Sequence, residues 1–182
     1  LLRDNVGVFV PCHPVAGKEL SGVEHADVDL YVGKQVVVTP VERTQPLQLQ
    51  RAIQVWEGLQ CNVTQMTPES HDAAFAAVSH LPHLIAFALV NGIASQPNGQ
   101  DFLQLAGPGF RDFTRIAASE PKMWRDVLLA NRQELLAQSQ VFQRTLQALE
   151  AMIEAENADA LEGFIAQASN LRAHWRMGPK KH

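Results

Sequence analysis

The change of character near Thr67 constrains the fold of this 182-residue chain more than any other feature. Before Thr67, short apolar and β-branched runs, Val6–Val10 and Gln35–Thr39, are each followed directly by a proline. Such continuous runs are typical of strands that are buried on both faces. After Thr67, apolar residues recur at helical spacing over long stretches. The sequence therefore predicts an α/β part in residues 1–66 and an all-helical domain in residues 67–182.

Three further segments belong to the α/β part. A Gly-rich loop, residues 13–33, connects the two predicted strands. Residues 46–59 carry apolar side chains at helical spacing, including Leu49 and Trp56, and predict a helix. Residues 62–66 are expected to form one more short strand. The expected order is therefore strand, loop, strand, helix, strand.

A long helix is predicted from Thr67 to about Ser95. Thr67 suits an N-cap, and Pro68 suits the first turn, where a missing backbone donor costs no intrahelical hydrogen bond. Pro82 lies inside the helix and should kink it, because it removes a donor and crowds the preceding turn. The apolar stretch Leu81–Val90 is far shorter than the roughly 20 residues that span a bilayer, so neither a transmembrane helix nor a membrane partner is expected.

The rest of the chain predicts three more helices, over residues 110–118, residues 121–156, and a last segment capped by Asn157. A helix of about 35 residues would be ~50 Å long. That length exceeds the width of a helical domain of this size and favours packing against a second subunit. The alternative is a kinked pair of shorter helices in a monomer.

Charge and cysteine content exclude several classes of protein. The net charge is −4, and no basic cluster favours nucleic acid or an anionic membrane surface. Cys12 and Cys61 lie far apart and form no CxxC pair, which favours reduced thiols in a cytoplasmic protein. A single disulfide between them remains the alternative.

Three of the seven histidines, His71, His80 and His83, lie close in sequence on the long predicted helix. His80 and His83 are near neighbours on a helix, whereas His71 lies on the face opposite His80. The three cannot all bind one metal, and HExxH and cysteine-rich ligand sets are absent from the sequence. A metal site is therefore not expected.

His13 follows the first predicted strand and precedes a Gly-rich turn. Ligands bind at strand ends in α/β sheets, and a histidine there can exchange a proton near neutral pH. Taken alone, a loop histidine that hydrogen-bonds backbone is the slightly commoner arrangement. Cys12 does not form a nucleophile–base pair with His13, because neighbouring side chains on an extended chain point to opposite faces.

Arg111 and Arg115 are four residues apart and would share one helical face, where they could hold a carboxylate. The commoner alternative is an ion-pair network with Asp112. The segment Ser79–His83 places a proline between two histidines. A kink there could direct a side chain into a cleft, although a lone histidine on an apolar helix is more often a satisfied core residue.

Five segments, taken in order, resemble the prephenate and arogenate dehydrogenases. His13–Gly22 is similar to the family's HPxAGxExSG segment, and Gly33–Pro40 is similar to the strand that follows it. Ser79–His83 resembles SHLPH, Gly107–Ala117 resembles GGGFxDFTRIA, and Pro121–Asp126 resembles PxMWxD. Because order and spacing agree, the resemblance covers nearly the whole chain.

The resemblance implies a Rossmann-type NAD domain followed by a helical domain that forms a homodimer. Residues 1–66 would be an α/β remnant, the last strands of the NAD domain, and residues 67–182 the helical substrate-binding and dimerisation domain. The family's GxGxxG turn and acidic ribose-binding residue lie upstream of the first motif, so a fragment is expected. Two positions depart from the family: Pro108 replaces the middle glycine of three, and Lys18 stands where some relatives carry threonine.

The implied reaction is the oxidative decarboxylation of prephenate or arogenate in tyrosine biosynthesis, with hydride transfer to NAD, or alternatively NADP. His13 would be the catalytic residue that takes the proton of the ring hydroxyl. Arg115 would hold the ring carboxylate. The other implied substrate-binding residues are Arg111, His83, Ser79, Trp124 and Glu19.

Two functions of other classes remain as alternatives. Another Rossmann-plus-helical hydroxyacid dehydrogenase would carry a catalytic lysine in its second domain and lack the FRDFTR segment, which this chain has at residues 110–115. A helical dimerisation module that binds tyrosine for regulation would not be an enzyme. The sequence alone does not distinguish prephenate from arogenate as the preferred substrate, or NAD from NADP as the cofactor. It also leaves inhibition by tyrosine open.

Overall fold

The computed structural model describes residues 3–17 and 22–176, which form two compact units. Unit 1 comprises Leu1–His71 and Glu156–His182, and unit 2 comprises Asp72–Ala155. Strands occur only in the early part of the described chain, and helices follow. This order confirms the predicted fold class, whereas the predicted domain boundary at residue 66 stays a prediction.

Unit 1 contains a three-stranded sheet. Its strands are β1 (Cys12–Val15), β2 (Gln35–Val38) and β3 (Asn62–Gln65), in the order β1-β2-β3. β1 pairs with β2 in antiparallel fashion, and β2 pairs with β3 in parallel. The central strand is buried on both faces, with Val36, Val37 and Val38 at most 1% exposed. This confirms the prediction drawn from its β-branched run.

The predicted strand at Val6–Val10 was wrong. The chain forms a 3-10 helix at Arg3–Val8 instead, and the strand begins after it, at Cys12. The carbonyl of Gly7 accepts a hydrogen bond from the backbone of Gln45 and is thereby held by the segment before α1. His13, predicted to follow a strand, consequently lies within β1.

Helix α1 (Pro46–Gly58) covers the sheet and contacts β3. Its Trp56 packs against the buried cluster that contains Val36, Val38 and Cys61. Cys12 packs against the same cluster, and both cysteines are free thiols. Burial raises the pKa of the Cys61 thiol, which keeps it protonated and unreactive.

One continuous helical segment runs from Pro68 to Ala94. It consists of α2 (Pro68–Phe75), a π-helical turn (Ala76–His80) and α3 (Leu81–Ala94). In the π-helical turn the backbone N–H of Leu81 bonds to the carbonyl of Ala76. The disturbance expected at Pro82 thus takes the form of a wider turn directly before it.

The length of this segment bears on the expectation about membrane spans. It has 27 residues, and its most apolar 18-residue window has a mean hydropathy of 1.8, so by length and composition alone it could cross a bilayer. Only 11% of its most apolar window is buried within the chain. The expectation considered only the ten residues around Pro82 and not the joined helix, and the absence of a membrane span stays a prediction.

Unit 2 continues with α4 (Gly99–Gln104), α5 (Pro108–Thr114) and a 3-10 turn at Arg115–Ala118. The predicted helix over residues 110–118 therefore starts two residues earlier and tightens at its end. Pro108 occupies the first position of α5, where its missing N–H leaves no intrahelical bond unmade. All of these elements lie close to α3.

The predicted single helix over residues 121–156 was wrong, because the chain forms two helices there. α6 (Pro121–Ala130) ends at Asn131, whose φ of −105° and ψ of 31° are not helical, and α7 (Arg132–Glu154) follows. The last helix, α8 (Ala158–His174), is capped as predicted, because the Asn157 side chain accepts a hydrogen bond from Ala160 at 3.1 Å.

Candidate functional site

His13 and His71 form a hydrogen-bonded pair in unit 1. Nδ1 of His13 lies 2.8 Å from Nε2 of His71, and the rings meet edge to face with centroids 5.0 Å apart. The two residues are 58 positions apart in sequence. Because each contact between two imidazole nitrogens needs one donor and one acceptor, at most one of the two facing nitrogens carries a proton.

Regular backbone structure holds both rings of this pair. His13 lies opposite Val37 in the antiparallel ladder, and Val37 is buried. His71 lies in the first turn of α2, where its backbone N–H bonds to Thr67. The Thr67 hydroxyl caps the same turn by accepting a hydrogen bond from Ser70 at 3.1 Å. Strand pairing and helix capping therefore fix the positions from which the two side chains extend.

An aromatic cluster lies around Trp124 in unit 2. The Trp124 indole is 9% exposed and stacks on His83, with ring centroids 3.5 Å apart and planes inclined by 20°. His80 and Phe87 meet the same indole edge to face, with centroids 6.2 Å and 6.4 Å away. The cluster joins α6 to the π-helical turn and α3.

His83 is held in one tautomer. Its Nδ1 lies 2.9 Å from the carbonyl oxygen of Ser79, so Nδ1 carries the proton and donates it. Desolvation by burial lowers the pKa of His83, and the positive charge of Arg115 lowers it further, while the bond to Ser79 opposes both. His83 is therefore a neutral ring whose Nε2 presents a lone pair.

Asn131 connects three segments of unit 2. Its side-chain Nδ2 donates to the carbonyl of Asp72 at 2.8 Å and to Nδ1 of His80 at 3.2 Å. Both amide hydrogens are thus used at the point where α6 ends and α7 begins. Asparagine is a poor residue for a helix interior, so Asn131 was itself a signal for the break between α6 and α7.

The two predicted arginines differ in their surroundings. Arg111 pairs with its neighbour Asp112, Nε to Oδ1 at 3.0 Å, and both side chains are at least 70% exposed. An exposed pair of this kind adds little stability. Arg115 begins the 3-10 turn after α5, and its charge acts on His83. Arg111 thus lies within α5, and Arg115 lies at the start of the 3-10 turn that follows it.

The structure brings some of the predicted site residues together. His83 contacts Ser79 through a hydrogen bond and Trp124 through ring stacking, and the charge of Arg115 acts on His83. Glu19 lies outside the described residues. His71, the partner of His13, was not among the predicted site residues, and no spacing pattern could have indicated a contact across so many residues.

Two family models match the chain. The model described as "Prephenate dehydrogenase, dimerization domain" matches residues 67–167, and the model described as "Prephenate dehydrogenase, nucleotide-binding domain" matches residues 2–65. The prephenate dehydrogenase of Bacillus subtilis (strain 168) is 33% identical over 165 residues, and the cyclohexadienyl dehydrogenase of Zymomonas mobilis is 32% identical over 175 residues. These alignments cover 90% and 94% of this chain, which spans 44% and 60% of the two relatives.

Solved structures give the same result. The prephenate dehydrogenase from Aquifex aeolicus, in complex with hydroxyphenyl propionate and NAD+, matches with a TM-score of 0.86 and 41% identity. The match covers 91% of this chain and 58% of that one. The arogenate dehydrogenase of Synechocystis matches with a TM-score of 0.81 and 31% identity, over 91% of this chain and 60% of that one.

The lowered pKa of His83 predicts a pH-dependent stability. Because the folded-state pKa lies below the ordinary value of 6.5, protonation favours the unfolded chain. The free energy of unfolding should be fully retained above pH 6.5, the ordinary pKa of histidine. It should fall as the pH drops from there toward the lower pKa of the folded state. His83→Phe keeps a ring against Trp124 and removes the titration. Denaturant unfolding at about pH 7.5 and about pH 5 should then show a smaller loss in the variant than in the wild type.

His174→Phe is the matched control, because His174 is exposed and bonds only to a backbone carbonyl of its own helix in the described structure. It should leave the pH dependence as in the wild type. An unchanged acid-induced loss of stability in His83→Phe would contradict the assignment.

Proposed function

The chain belongs to the prephenate dehydrogenase family, and from that premise we propose that it takes part in the oxidative decarboxylation of prephenate or arogenate. The products are 4-hydroxyphenylpyruvate or tyrosine, and the reaction belongs to tyrosine biosynthesis. The match of both family models across residues 2–65 and 67–167 carries this proposal, because the chain matches the nucleotide-binding domain as well as the dimerisation domain.

His13 is the proposed proton acceptor. The substrate has a hydroxyl at ring position C4, and a hydride leaves C4 as that hydroxyl becomes a carbonyl. The hydroxyl proton passes to His13, and it returns to the oxygen when the ring becomes aromatic. An exposed imidazole that already has a hydrogen-bond partner is suited to this role, since histidine exchanges protons near neutral pH.

Arg115 is the proposed binding group for the carboxylate at ring position C1. That carboxylate leaves as CO2, and the electron pair of the broken bond enters the ring. A guanidinium holds a carboxylate in a planar, bidentate arrangement, which orients the ring before reaction. Arg111 is a weaker candidate, because Asp112 already engages its Nε.

The remaining proposed contacts meet the substrate side chain. The His83–Trp124 stack offers a flat apolar surface that ends in the lone pair of a neutral imidazole. Ser79 fixes that imidazole through its carbonyl. Together with His83, the residues proposed to contact the substrate side chain are Arg111, Ser79, Trp124 and Glu19. Tyrosine shares the ring and side chain of the product, so we include competitive inhibition by tyrosine in the proposal.

NAD, or alternatively NADP, supplies the hydride acceptor in the proposed reaction. The described residues do not form a dinucleotide cradle. A cradle needs a Gly-rich turn between a strand and a helix N-terminus. The turn from β2 to α1, residues 39–45, and the turn from β3 to α2, residues 66–67, contain no glycine. No residue among those that the structure describes is therefore assigned to the cofactor.

A cytoplasmic homodimer without membrane contact is the last part of the proposal. Large apolar side chains of unit 2 are widely exposed, for example Leu105 at 85% and Leu136 at 58%. An apolar groove of about 580 Å³ runs between α3 and α7, lined by residues such as Leu89, Phe142 and Leu146. Exposed apolar area of this extent marks an interaction surface. The family's dimerisation domain matches this region, which favours a second copy over lipid.

Turnover by the full-length protein tests the function. We expect NADH formation with prephenate, arogenate or both, followed by absorbance. His13→Asn should lower kcat by at least ~100-fold with little change in KM, because a general base contributes roughly 10²–10⁴-fold. A folded, NAD-binding wild type that turns over neither substrate would refute the enzyme assignment and favour the non-catalytic dimerisation module.

Arg115→Gln should mainly raise KM. Loss of a charge-assisted bidentate contact of roughly 2–3 kcal/mol corresponds to about a 30- to 150-fold loss in kcat/KM. Arg125→Gln is the control, because Arg125 is an exposed arginine paired with Asp126 in the same manner as Arg111 with Asp112. Equal effects of the two substitutions would contradict the carboxylate-binding role.

The groove predicts the oligomeric state. Leu146→Asp places a charge on the wall of the α3–α7 groove, while leaving the sheet of unit 1 unaltered. The expected result is a monomer by light scattering coupled to gel filtration, where the wild type is a dimer. Glu150→Asp, one helical turn further along, is the control. A wild-type monomer, or a dimeric Leu146→Asp variant, would contradict the proposed interface.

A further inference from the structure

We propose that His71 is a positioning residue for His13, which fixes the tautomer that His13 needs as a base. This inference rests on the proposed function. It is carried by the 2.8 Å contact between Nδ1 of His13 and Nε2 of His71. Neither the spacing of the two residues nor the family motifs in the sequence link them.

The proton in this contact has two alternative positions. If Nε2 of His71 donates, the neutral His13 carries its own proton on Nε2 and has no lone pair there. If Nδ1 of His13 donates, the lone pair of His13 is on Nε2, and His71 is the acceptor. Only the second arrangement makes Nε2 of His13 a base. His71 therefore has to be present as a neutral acceptor.

The same hydrogen bond gains strength when His13 takes the substrate proton. His13 then becomes an imidazolium, and its Nδ1–H donates to the lone pair of His71 as a charge-assisted hydrogen bond. A stronger bond in the charged state favours proton transfer to His13 over the ground state. If Nε2 of His71 were protonated, two N–H groups would face each other and this contribution would be lost.

The local structure suits His71 to this role. Its position in the first turn of α2 is set by the Thr67 cap, and its side chain is half-buried, whereas the ring of His13 is exposed. A partly buried acceptor on a helix can orient an exposed ring on a strand. A purely structural contact between α2 and β1 would instead be indifferent to which nitrogen carries the proton.

A spectroscopic measurement tests the tautomer without any substrate. In the full-length protein with ¹⁵N-labelled histidine, at about pH 8 where ordinary histidines are neutral, long-range ¹H–¹⁵N correlations should show His13 protonated at Nδ1. His71→Leu should shift His13 towards the Nε2–H form. His71→Gln should preserve the Nδ1–H form, since its carbonyl oxygen can accept the same hydrogen bond. A wild-type His13 protonated at Nε2 overturns the inference, even if the protein is active.

Kinetics test the consequence. His71→Leu should lower kcat by roughly 10- to 100-fold, the range expected for losing one hydrogen bond to a charged group, with KM nearly unchanged. His71→Gln should restore kcat to within about threefold of the wild type. The matched control His174→Leu replaces an exposed histidine of α8 and should leave kcat unaltered.

The outcomes separate this inference from the proposed function. Equal activity of His71→Leu and His174→Leu overturns the role of His71, and so does a His71→Gln variant as impaired as His71→Leu. An inactive wild type whose His13 is nevertheless protonated at Nδ1 refutes the proposed reaction, while the tautomer assignment to His71 stands.

Discussion

The course of the helical segment Pro68–Ala94 depends on one missing hydrogen-bond donor, the backbone nitrogen of Pro82. A regular helix would need that donor, and the proline ring would crowd the preceding turn. The π-helical turn Ala76–His80 adds one residue to the turn and lets the helix continue to Ala94. An extra residue rotates the following side chains by about 100° relative to a regular helix. The turn therefore decides which neighbours His83 meets, including the ring of Trp124.

Much of the fold could be predicted from local sequence. The run Gln35–Thr39 predicted the buried central strand because β-branched residues without polar alternation fit a strand covered on both faces. Thr67 and Asn157 predicted helix starts because their side chains satisfy backbone donors within three residues. The errors at Val6–Val10 and across Asn131 have another cause. There, contacts with distant residues outweighed the local preference, and one sequence window cannot contain such contacts.

In the candidate site, too, some features could be predicted from local sequence and others depend on contacts with distant residues. The motifs indicated which residues to propose for the site, among them His13, His83 and Arg115, because the order of several segments was specific. They did not indicate that His13 would meet His71, that His83 would be neutral, or that Arg111 would turn to Asp112. Each of these properties depends on distances between elements and on the loss of water around a ring. Side-chain chemistry can be read from a motif, but protonation and pairing follow from packing.

The outer strand of the sheet has a consequence for work with this chain on its own. Among the strands that the structure describes, β3 pairs only with β2, so one side of its backbone presents N–H and C=O groups that another strand could bind. Val63 is the only apolar residue of its four, and the polar residues beside it oppose indiscriminate aggregation. An added segment of matching register could therefore dock here through main-chain hydrogen bonds, which offers a route to complementing the chain in trans with a separately expressed partner fragment.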